Sequence, residues 1–452
     1  MEPIAAIATA LAPSAIGILR VSGEGAAAIA GRVFSANNQK PLGEQPPRSL
    51  VLGGFSDCTG GVIDHGLAVW FPAGGSYTGE ESAELYCHGA PILLTALLSS
   101  LLAAGARQAG PGEFTRRAFL SGRMDLTQAE AVADLLDADN LEAAQNAAAQ
   151  EGGSLRRATQ AVYDGLVAIT ARFYAVVDYP DEDIEDLDRA TIEATLLDCE
   201  ERLNALLATC HRGSILKHGL PTALIGKPNV GKSSLLNALL GIDRVIVTDC
   251  PGTTRDTVEE KLNLGGHTLR LTDTAGIRET ADAAEACGVD RARSAAAAAE
   301  LALLVINGSA PLTAEDEAAI EAAGQAKKTL TLLNFADLPP DAATCARFPR
   351  GIPVSAKTGR GLADLETAIG ALFPSGDDTP PGGILTNTRQ ADAATRARDA
   401  IRRARRGLGA GLTPDAVLTD GEEALAALGE LTGRTAREDI VSEIFSHFCV
   451  GK

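Results

Sequence analysis

The sequence has few aromatic residues and no excess of positive charge. Of its 452 residues 4% are aromatic, with a single Trp, and the formal net charge is −19. A protein that binds nucleic acid by itself usually has a basic surface, so any contact with RNA is expected to be local or made through a partner. Much of the 45% apolar fraction is alanine, which predicts long helices in part of the chain.

Paired cysteines and long apolar runs are also missing. The eight cysteines form no C-x-x-C motif, and none lies at zinc spacing from histidine, which predicts a reduced, cytoplasmic chain without a structural metal. The N-terminus lacks the basic region of a secretory signal. The longest apolar stretch, 91–104, is interrupted by Thr95, Ser99 and Ser100. It is too short to span a bilayer and predicts a buried helix and no membrane contact.

Residues 226–234 match the phosphate-binding pattern G-x-x-x-x-G-K-[ST] at every required position. A short apolar segment precedes them and a helical pattern follows, which is the context that a P-loop requires. The two glycines let backbone N–H groups turn toward phosphates, and the helix presents its positive end. Lys232 is expected to contact the β- and γ-phosphates, and Ser233 to bind Mg²⁺.

Motifs further along the chain indicate guanine as the base. Residues 273–276 (DTAG) follow a predicted strand and suit water-mediated Mg²⁺ and γ-phosphate contacts, and the polar loop 248–256 suits a nucleotide-ordered switch. Residues 334–337 (NFAD) follow an apolar strand, and their carboxylate can accept two hydrogen bonds from guanine that adenine cannot donate. Residues 355–357 (SAK) would cap the base.

The order and spacing of these five motifs resemble those of Ras-like GTPases. Two residues differ from that pattern: Ile277 replaces a water-orienting Gln, and Phe335 replaces a Lys that lies along the base. Hydrolysis is therefore expected to need another catalyst, and guanine affinity to be lower than usual. The residues predicted to surround GTP are Asn229, Val230, Gly231, Lys232, Ser233, Ser234, Thr248, Asp249, Cys250, Pro251, Gly252, Thr253, Thr254, Asp273, Thr274, Ala275, Gly276, Asn334, Asp337, Ser355, Ala356 and Lys357.

The pattern of elements predicts three kinds of domain. Residues 1–118 alternate short strands, at 16–23, 67–72 and 84–89, with helices, as in a small α/β domain. Residues 119–213 have helical periodicity over 126–140, 141–178 and 191–210. The GTPase domain, a mixed sheet flanked by helices, is predicted at 214–373. Residues 374–452 form a linker and further helices, so the GTPase is interpreted as an insertion into one helical domain.

Other motifs cover nearly the whole chain: 17–20 (GILR), 77–80 (YTGE), 111–114 (PGEF), 124–130 (MDLTQAE) and 448–452 (FCVGK). Together with the GTPase motifs they resemble the MnmE/TrmE family of tRNA modification GTPases. The resemblance implies a 5-carboxymethylaminomethyl or 5-aminomethyl group added to wobble uridine of certain tRNAs. It also implies a homodimer through the N-terminal domain, a FAD-containing MnmG/GidA-type partner in a hetero-oligomer, tRNA bound largely through that partner, and a bound 5-formyl- or 5,10-methylene-tetrahydrofolate.

The resemblance also implies roles for particular residues. Glu285 would orient the hydrolytic water. The packing expected of the C-terminal tail, and not the resemblance, leaves two options for Cys449: a thiol that acts in the modification or a small group that fills space. The segment 11–15 differs from the family pattern. It is shorter and less glycine-rich than the loop that the family has before Gly17, and this loop would form the edge of the folate site. Folate contacts are implied for Arg20, Glu84, Arg123 and Lys452, Mg²⁺ for Ser233 and Thr254, and K⁺ for Asn229, Thr248, Cys250 and Thr253.

The C-terminal tail is expected to be held in place by the helix that precedes it. That helix, predicted at about 437–448, places Ile440, Ile444, Phe445 and Phe448 at helical spacing. Two other functions stay open from the sequence: a GTP-switched RNA- or ribosome-assembly factor without covalent chemistry, and a GTP-regulated scaffold. Assembly factors with this GTPase pattern usually have a basic RNA-binding appendage, and the sequence contains none.

Overall fold

The computed structural model describes residues 1–178, 189–242, 260–272, 285–374, 380–412, 414–435, 438–446 and 448–451. The chain divides into two compact units. The first comprises residues 1–133, 150–200 and 393–452, and the second comprises residues 134–149 and 201–392. Each unit contains its own β-sheet.

The elements are numbered in chain order within the described residues. The strands are β1 (Ile4–Ile7), β2 (Ser14–Ser22), β3 (Phe34–Ala36), β4 (Val51–Ser56), β5 (Val62–Phe71), β6 (Ser82–Gly89), β7 (Arg107–Gln108), β8 (Leu220–Ile225), β9 (Glu260–Leu264), β10 (His267–Thr272), β11 (Leu301–Asn307), β12 (Lys328–Asn334) and β13 (Ile352–Pro353). The helices are α1 (Ala26–Val33), α2 (Pro91–Ala103), α3 (Glu113–Leu120), α4 (Leu126–Leu136), α5 (Leu141–Glu151), α6 (Ser154–Asp178), α7 (Arg189–Ala208), α8 (Cys210–His218), α9 (Lys232–Ile242), α10 (Glu285–Ala298), α11 (Ala314–Ala323), α12 (Ala342–Arg347), α13 (Leu362–Leu372), α14 (Thr388–Gly409), α15 (Pro414–Thr432) and α16 (Glu438–Ser446).

The sheet of the first unit has the order β3-β4-β5-β6-β2-β1-β7. Its neighbouring strands are antiparallel, except that β1 and β7 are parallel. The strands predicted at 16–23, 67–72 and 84–89 are confirmed as β2, β5 and β6. Along β2, Leu19 and Val21 are buried because alternate residues of a strand face the same side. Arg20, between them, pairs in register with Glu84 of β6.

Helix α2 buries apolar side chains in the core of this unit. Helix α2 begins with Pro91, whose fixed φ suits the first helical position. Leu94, Leu97 and Leu101 of α2 are fully buried, each stabilising the fold by roughly 1.5–3 kcal/mol. The apolar helix predicted at 91–104 is therefore confirmed. Within the described part of the chain, no helix combines the length and apolarity needed to cross a membrane.

The long helical segment predicted over 141–178 is interrupted. Helix α5 ends at Glu151 and α6 begins at Ser154. Gly153 has φ +83°, a left-handed conformation that glycine adopts without steric cost. The backbone N–H of Gly153 donates to the carbonyl of Gln150, which closes the turn. The segment of helical periodicity at 141–178 is therefore two helices, because a turn glycine outweighs the helical pattern around it.

The sheet of the second unit has the order β13-β12-β11-β8-β10-β9 and is parallel, apart from the antiparallel pair β9–β10. Residues 301–306 of the central strand β11 are all buried, as expected for a parallel strand covered on both faces. The carboxyl ends of β8, β12 and β13 lie at one edge, where open α/β sheets bind ligands. The motifs at 226–231, 334–337 and 355–357 begin at this edge.

Candidate functional site

The P-loop lies between β8 and α9, as the sequence predicts. Asn229 and Gly231 have positive φ angles of 58° and 93°, which turn the loop back on itself. A Cβ atom at Gly231 would lie 2.2 Å from the Asn334 side-chain nitrogen. Glycine is therefore required at 231 by both backbone conformation and space.

The Lys232 side chain lies against this loop. Its Nζ donates hydrogen bonds to the carbonyls of Gly226, at 2.5 Å, and Lys227, at 2.8 Å. Burial lowers the pKa of its ammonium. Ser233, the next residue, is exposed at the helix start, where a metal and phosphate oxygens can reach its hydroxyl. These positions fit the phosphate and Mg²⁺ roles predicted for the two side chains.

A second lysine of the loop pairs with a buried carboxylate. Lys227 Nζ lies 2.7 Å from Asp316 Oδ2 and 3.2 Å from Thr313 Oγ1. Asp316, whose side chain is 2% exposed, also accepts from the Thr313 backbone N–H at 2.9 Å. Burial alone would raise the pKa of Asp316, but hydrogen bonds from Lys227 and Thr313 lower it overall. Sequence reasoning missed this pair, since its members are 89 positions apart and only the Thr-x-x-Asp helix start is visible locally.

The predicted base-recognition residues lie together at the end of the sheet. Asn334 is 2% exposed and donates from Nδ2 to the Val230 carbonyl at 2.9 Å, which joins the NFAD motif to the P-loop. Asp337 is exposed, and its Oδ1 accepts from Ser355 Oγ at 2.8 Å. This hydrogen bond lowers the pKa of the Asp337 carboxyl, so the group is an ionised acceptor at neutral pH. Lys357, two residues after Ser355, is also exposed.

Phe335 has an unusual backbone conformation. Its φ is 65°, in the left-handed region that costs a residue with a Cβ about 1–2 kcal/mol. The residue lies between the buried Asn334 and the exposed Asp337, so this turn separates the side chain that anchors the P-loop from an exposed carboxylate. Strained residues of this kind are concentrated at functional sites. The sequence identified the unusual residue type but not the strain.

Several predicted residues lie outside the described parts of the chain. Glu285 is the first residue of α10, but its side chain lies outside the described part of the structure. In the part of the chain that the structure describes, no cluster of three metal-binding side chains occurs. The undescribed candidates are Thr248, Asp249, Cys250, Pro251, Gly252, Thr253, Thr254, Asp273, Thr274, Ala275, Gly276 and Lys452.

A second group of predicted residues meets in the first unit. Arg20 Nε and Nη2 each lie 2.9 Å from Glu84 Oε1. Tyr86 donates to the other oxygen of Glu84 at 2.7 Å, and burial together with this bond raises the pKa of Tyr86 to about 12. The guanidinium of Arg20 also lies over the rings of Tyr77, at 5.3 Å, and Phe114, at 5.7 Å. The two rings were not predicted as site residues from the sequence, although both lie in motifs of the family resemblance, at 77–80 and 111–114.

The loop at 74–79 joins Arg123 to this group. Arg123 Nη1 donates to the Gly74 carbonyl at 3.3 Å, and a Cβ atom at Gly79 would lie 3.1 Å from Arg123 Cγ. Tyr77, on the same loop, is the residue whose ring faces Arg20. Guanidinium groups, a carboxylate and aromatic faces match the carboxylates, the hydrogen-bonding edge and the flat ring of a folate. The residues present therefore fit that cofactor.

The C-terminal tail is packed against the same unit. Val450 pairs with Pro111 in a short antiparallel bridge, and the Gly112 N–H donates to the Cys449 carbonyl at 3.2 Å. Gly451, with φ +102°, is so close to β1 that a Cβ atom would lie 2.3 Å from the Ile7 carbonyl oxygen. Cys449 itself is exposed. The tail is thus held beside the strand that pairs with β2, as expected for an ordered end.

The helix before the tail follows the prediction except in one residue and in its extent. Helix α16 covers 438–446, Phe448 lies beyond it, and residues 437 and 447 of the predicted range lie outside the described part of the chain. Phe445 and Phe448 are buried. Ile444 packs against the same cluster, but Ile440 is 37% exposed. The prediction that Ile440 is packed is wrong, since Val441, not Ile440, takes the buried position in that turn.

Comparisons with known proteins agree along the whole chain. Residues 126–449 match a family model described as MnmE helical domain, and residues 3–123 one described as GTP-binding protein TrmE N-terminus. The tRNA modification GTPase MnmE of Roseiflexus sp. (strain RS-1) is 42% identical, covering 100% of this chain and 99% of that protein. The MnmE of Synechococcus sp. (strain JA-3-3Ab) is also 42% identical, covering 100% and 98%. Among solved structures, the G domain of the T. maritima FeoB iron transporter is 26% identical over 34% of this chain and 97% of that chain, with a TM-score of 0.24.

Proposed function

The chain belongs to the MnmE family of tRNA modification GTPases, and on this premise we propose that it hydrolyses GTP to drive a modification of tRNA. The observation that supports this most is the joining of phosphate and base sites at one sheet edge. Asn334 donates to the P-loop carbonyl of Val230 at 2.9 Å, and Asp337 is an exposed carboxylate held by Ser355. A nucleotide bound at this edge would have both its phosphates and its guanine contacted.

Within this site the described residues have distinct roles. Lys232 would exchange its two carbonyl partners for phosphate oxygens, which neutralises charge that develops as the γ-phosphate leaves. Ser233, with Thr254, would hold Mg²⁺, which binds phosphate oxygens and stabilises negative charge. Asp337 would accept two hydrogen bonds from the guanine edge.

The catalyst for hydrolysis is proposed to differ from that of Ras-like enzymes. Ile277 has no group that can orient water. Asn229, exposed and held at a positive φ in the P-loop, would bind K⁺ together with Thr248, Thr253 and the backbone of Cys250. Such a cation supplies positive charge to the transition state. Glu285 would orient the attacking water.

The first unit is proposed to be the modification site. Arg20, Glu84, Arg123 and Lys452 would hold 5-formyl- or 5,10-methylene-tetrahydrofolate, which supplies a one-carbon group when bound. The ordered tail would place Cys449 beside it. The product would be the 5-carboxymethylaminomethyl or 5-aminomethyl group on wobble uridine of certain tRNAs.

We further propose an assembly for this protein and the limits of its domains. The protein would act as a cytoplasmic homodimer with a FAD-containing MnmG/GidA-type partner, and tRNA would bind largely through that partner. The proposed domains are the α/β folate and dimerisation domain at 1–118, the helical domain at 119–213 and 374–452, and the GTPase domain at 214–373.

Mass spectrometry of tRNA nucleosides from a strain without this gene tests the proposed function. The expected result is loss of the 5-substituted wobble uridine and its return when the gene is restored. An RNA- or ribosome-assembly factor, or a scaffold, would leave the nucleoside composition intact. An unchanged nucleoside profile would therefore refute the proposal, whatever the GTPase activity of the purified protein.

A further inference from the structure

A cleft in the first unit is not used by the folate or GTP sites. It has a volume of about 650 Å³, within the roughly 300–1,000 Å³ range of small-molecule pockets. Three arginines from three elements line it: Arg116 of α3, Arg156 of α6 and Arg434 after α15. Two carboxylates, Asp125 and Glu438, also line the cleft. The three guanidinium groups outnumber them, so in a chain of net charge −19 the cleft is a local positive site, which attracts anions.

Arg116 and Arg156 make only long-range ion pairs with carboxylates, and Arg434 donates to a neutral side chain. Arg116 Nη2 lies 3.6 Å from Glu438, and Arg156 Nε lies 3.9 Å from Asp125, both beyond hydrogen-bond distance. Arg116 Nε is buried without a hydrogen-bond partner among the described residues. Arg434 donates to the neutral side chain of Gln160 at 2.6 Å.

Other arginines of the same unit are paired much more closely. Arg117 contacts Glu80 at 2.9 Å and Glu113 at 3.0 Å. Arg403, in the arginine-rich helix α14, contacts Asp420 at 2.8 Å. Those side chains hold elements together, whereas the cleft arginines keep donors that a ligand oxygen could accept from. A guanidinium presents donors in a fixed fork that matches a phosphate.

Part of the wall of the cleft is apolar. Phe119, Leu120, Met124 and Val441 line it, and Leu120 is 55% exposed. A flat ring can pack on such a wall while its charged group meets the arginines. The ring of Tyr163, which the Arg434 guanidinium covers at 4.5 Å, keeps that arginine in a defined position beside the cleft.

We propose that this cleft binds one nucleotide unit of the tRNA substrate, with a phosphate at Arg116, Arg156 and Arg434 and the attached ring on the apolar wall. This inference rests on the proposed function, because a tRNA-modifying enzyme needs a place that holds the strand. It gives the acidic chain a local RNA contact of its own, in addition to any contact through a partner.

The test is equilibrium binding of a fluorescently labelled tRNA transcript with an unmodified wobble uridine to the full-length protein. Arg156→Gln and Arg434→Gln should each weaken binding at least about tenfold, since each removes charge-assisted hydrogen bonds to a phosphate. Each should also reduce the slope of log affinity against log salt by about 1. Arg403→Gln is the matched control on the same unit and should bind as the wild type does. Arg156, 51% exposed with its carboxylate 3.9 Å away, can be changed without breaking a close ion pair.

Equal affinity and salt slope for wild type, Arg156→Gln and Arg434→Gln would overturn the proposal, as would a wild-type protein that does not bind the transcript. Calorimetry with uridine 5′-monophosphate separates the two sources of a nucleotide. Heat that is lost in the cleft variants while tRNA affinity is unchanged would assign the cleft to a free nucleotide instead. The nucleoside profile of the deletion strain is independent of this assay, so the proposed function can hold even if the cleft proposal fails.

Discussion

Asp337 is the residue on which base choice depends at the scale of single side chains. Its carboxylate is exposed, ionised and held by Ser355 at 2.8 Å. Asp337→Asn should lose GTP hydrolysis and gain activity on xanthosine triphosphate, because an amide donates where the carboxylate accepts. Steady-state kinetics with both nucleotides measures this. Normal GTP hydrolysis by the variant would show that the NFAD motif does not read the base.

Glu113 gives a residue-level prediction for pH. Burial alone would raise its pKa, but hydrogen bonds from Arg107, the Gly110 N–H and Arg117 lower it to about 2, against an ordinary value of 4.5. A carboxyl whose folded pKa is depressed stabilises the fold above its unfolded pKa, and this stabilisation is lost as pH falls through the folded value. Wild-type stability should therefore decline from about pH 4.5 toward pH 2.

Urea denaturation at several pH values across this window measures that decline. Glu113→Gln should be less stable than the wild type at pH 6 and show a shallower fall on acidification, since it has no carboxyl to protonate. Glu44→Gln, at an exposed position, is the control and should follow the wild-type curve. Parallel wild-type and Glu113→Gln curves would show that Glu113 does not contribute in this way.

At the scale of elements, the P-loop is supported by helix α11. Lys227 of the loop is paired with the buried Asp316 at 2.7 Å, and Asp316 also holds the start of that helix. Asp316→Asn removes the charge that holds the loop, so the KM for GTP should rise on the order of tenfold. Glu315→Gln, on the exposed side of the same helix, should have no effect. A rise in KM for both variants, or for neither, would contradict this role.

Sequence patterns predicted these elements to different extents. The P-loop and the base motifs could be placed because each requirement is local: a strand end, a glycine, a helix start. The Lys227–Asp316 pair could not be predicted, since tertiary packing brings its members together. The break at Gly153 was missed because helical periodicity continues on both sides of it. The exposure of Ile440 was missed because one turn of a helix offers two adjacent apolar residues, and packing selects one of them.

The two units of the whole molecule are predicted to have separable chemistry, and hydrolysis in the second should depend on K⁺. Replacing Na⁺ with K⁺ should raise the GTP turnover of the purified protein steeply, because a potassium ion at Asn229 would add positive charge that stabilises the transition state. Glu285→Ala should slow turnover while sparing GTP binding. Equal rates in both salts would exclude a potassium-assisted mechanism.

The central claim is that GTP hydrolysis in one unit drives tRNA modification at a site completed by the tail of the other. The most direct measurement is nucleoside mass spectrometry on a null strain carrying wild type, Lys232→Ala or a chain lacking residues 449–452, with GTP hydrolysis measured on each purified protein. The account predicts that wild type restores the modified wobble uridine and that both variants fail, with hydrolysis lost in Lys232→Ala and near normal in the truncated chain. Restored modification by either variant would contradict the account.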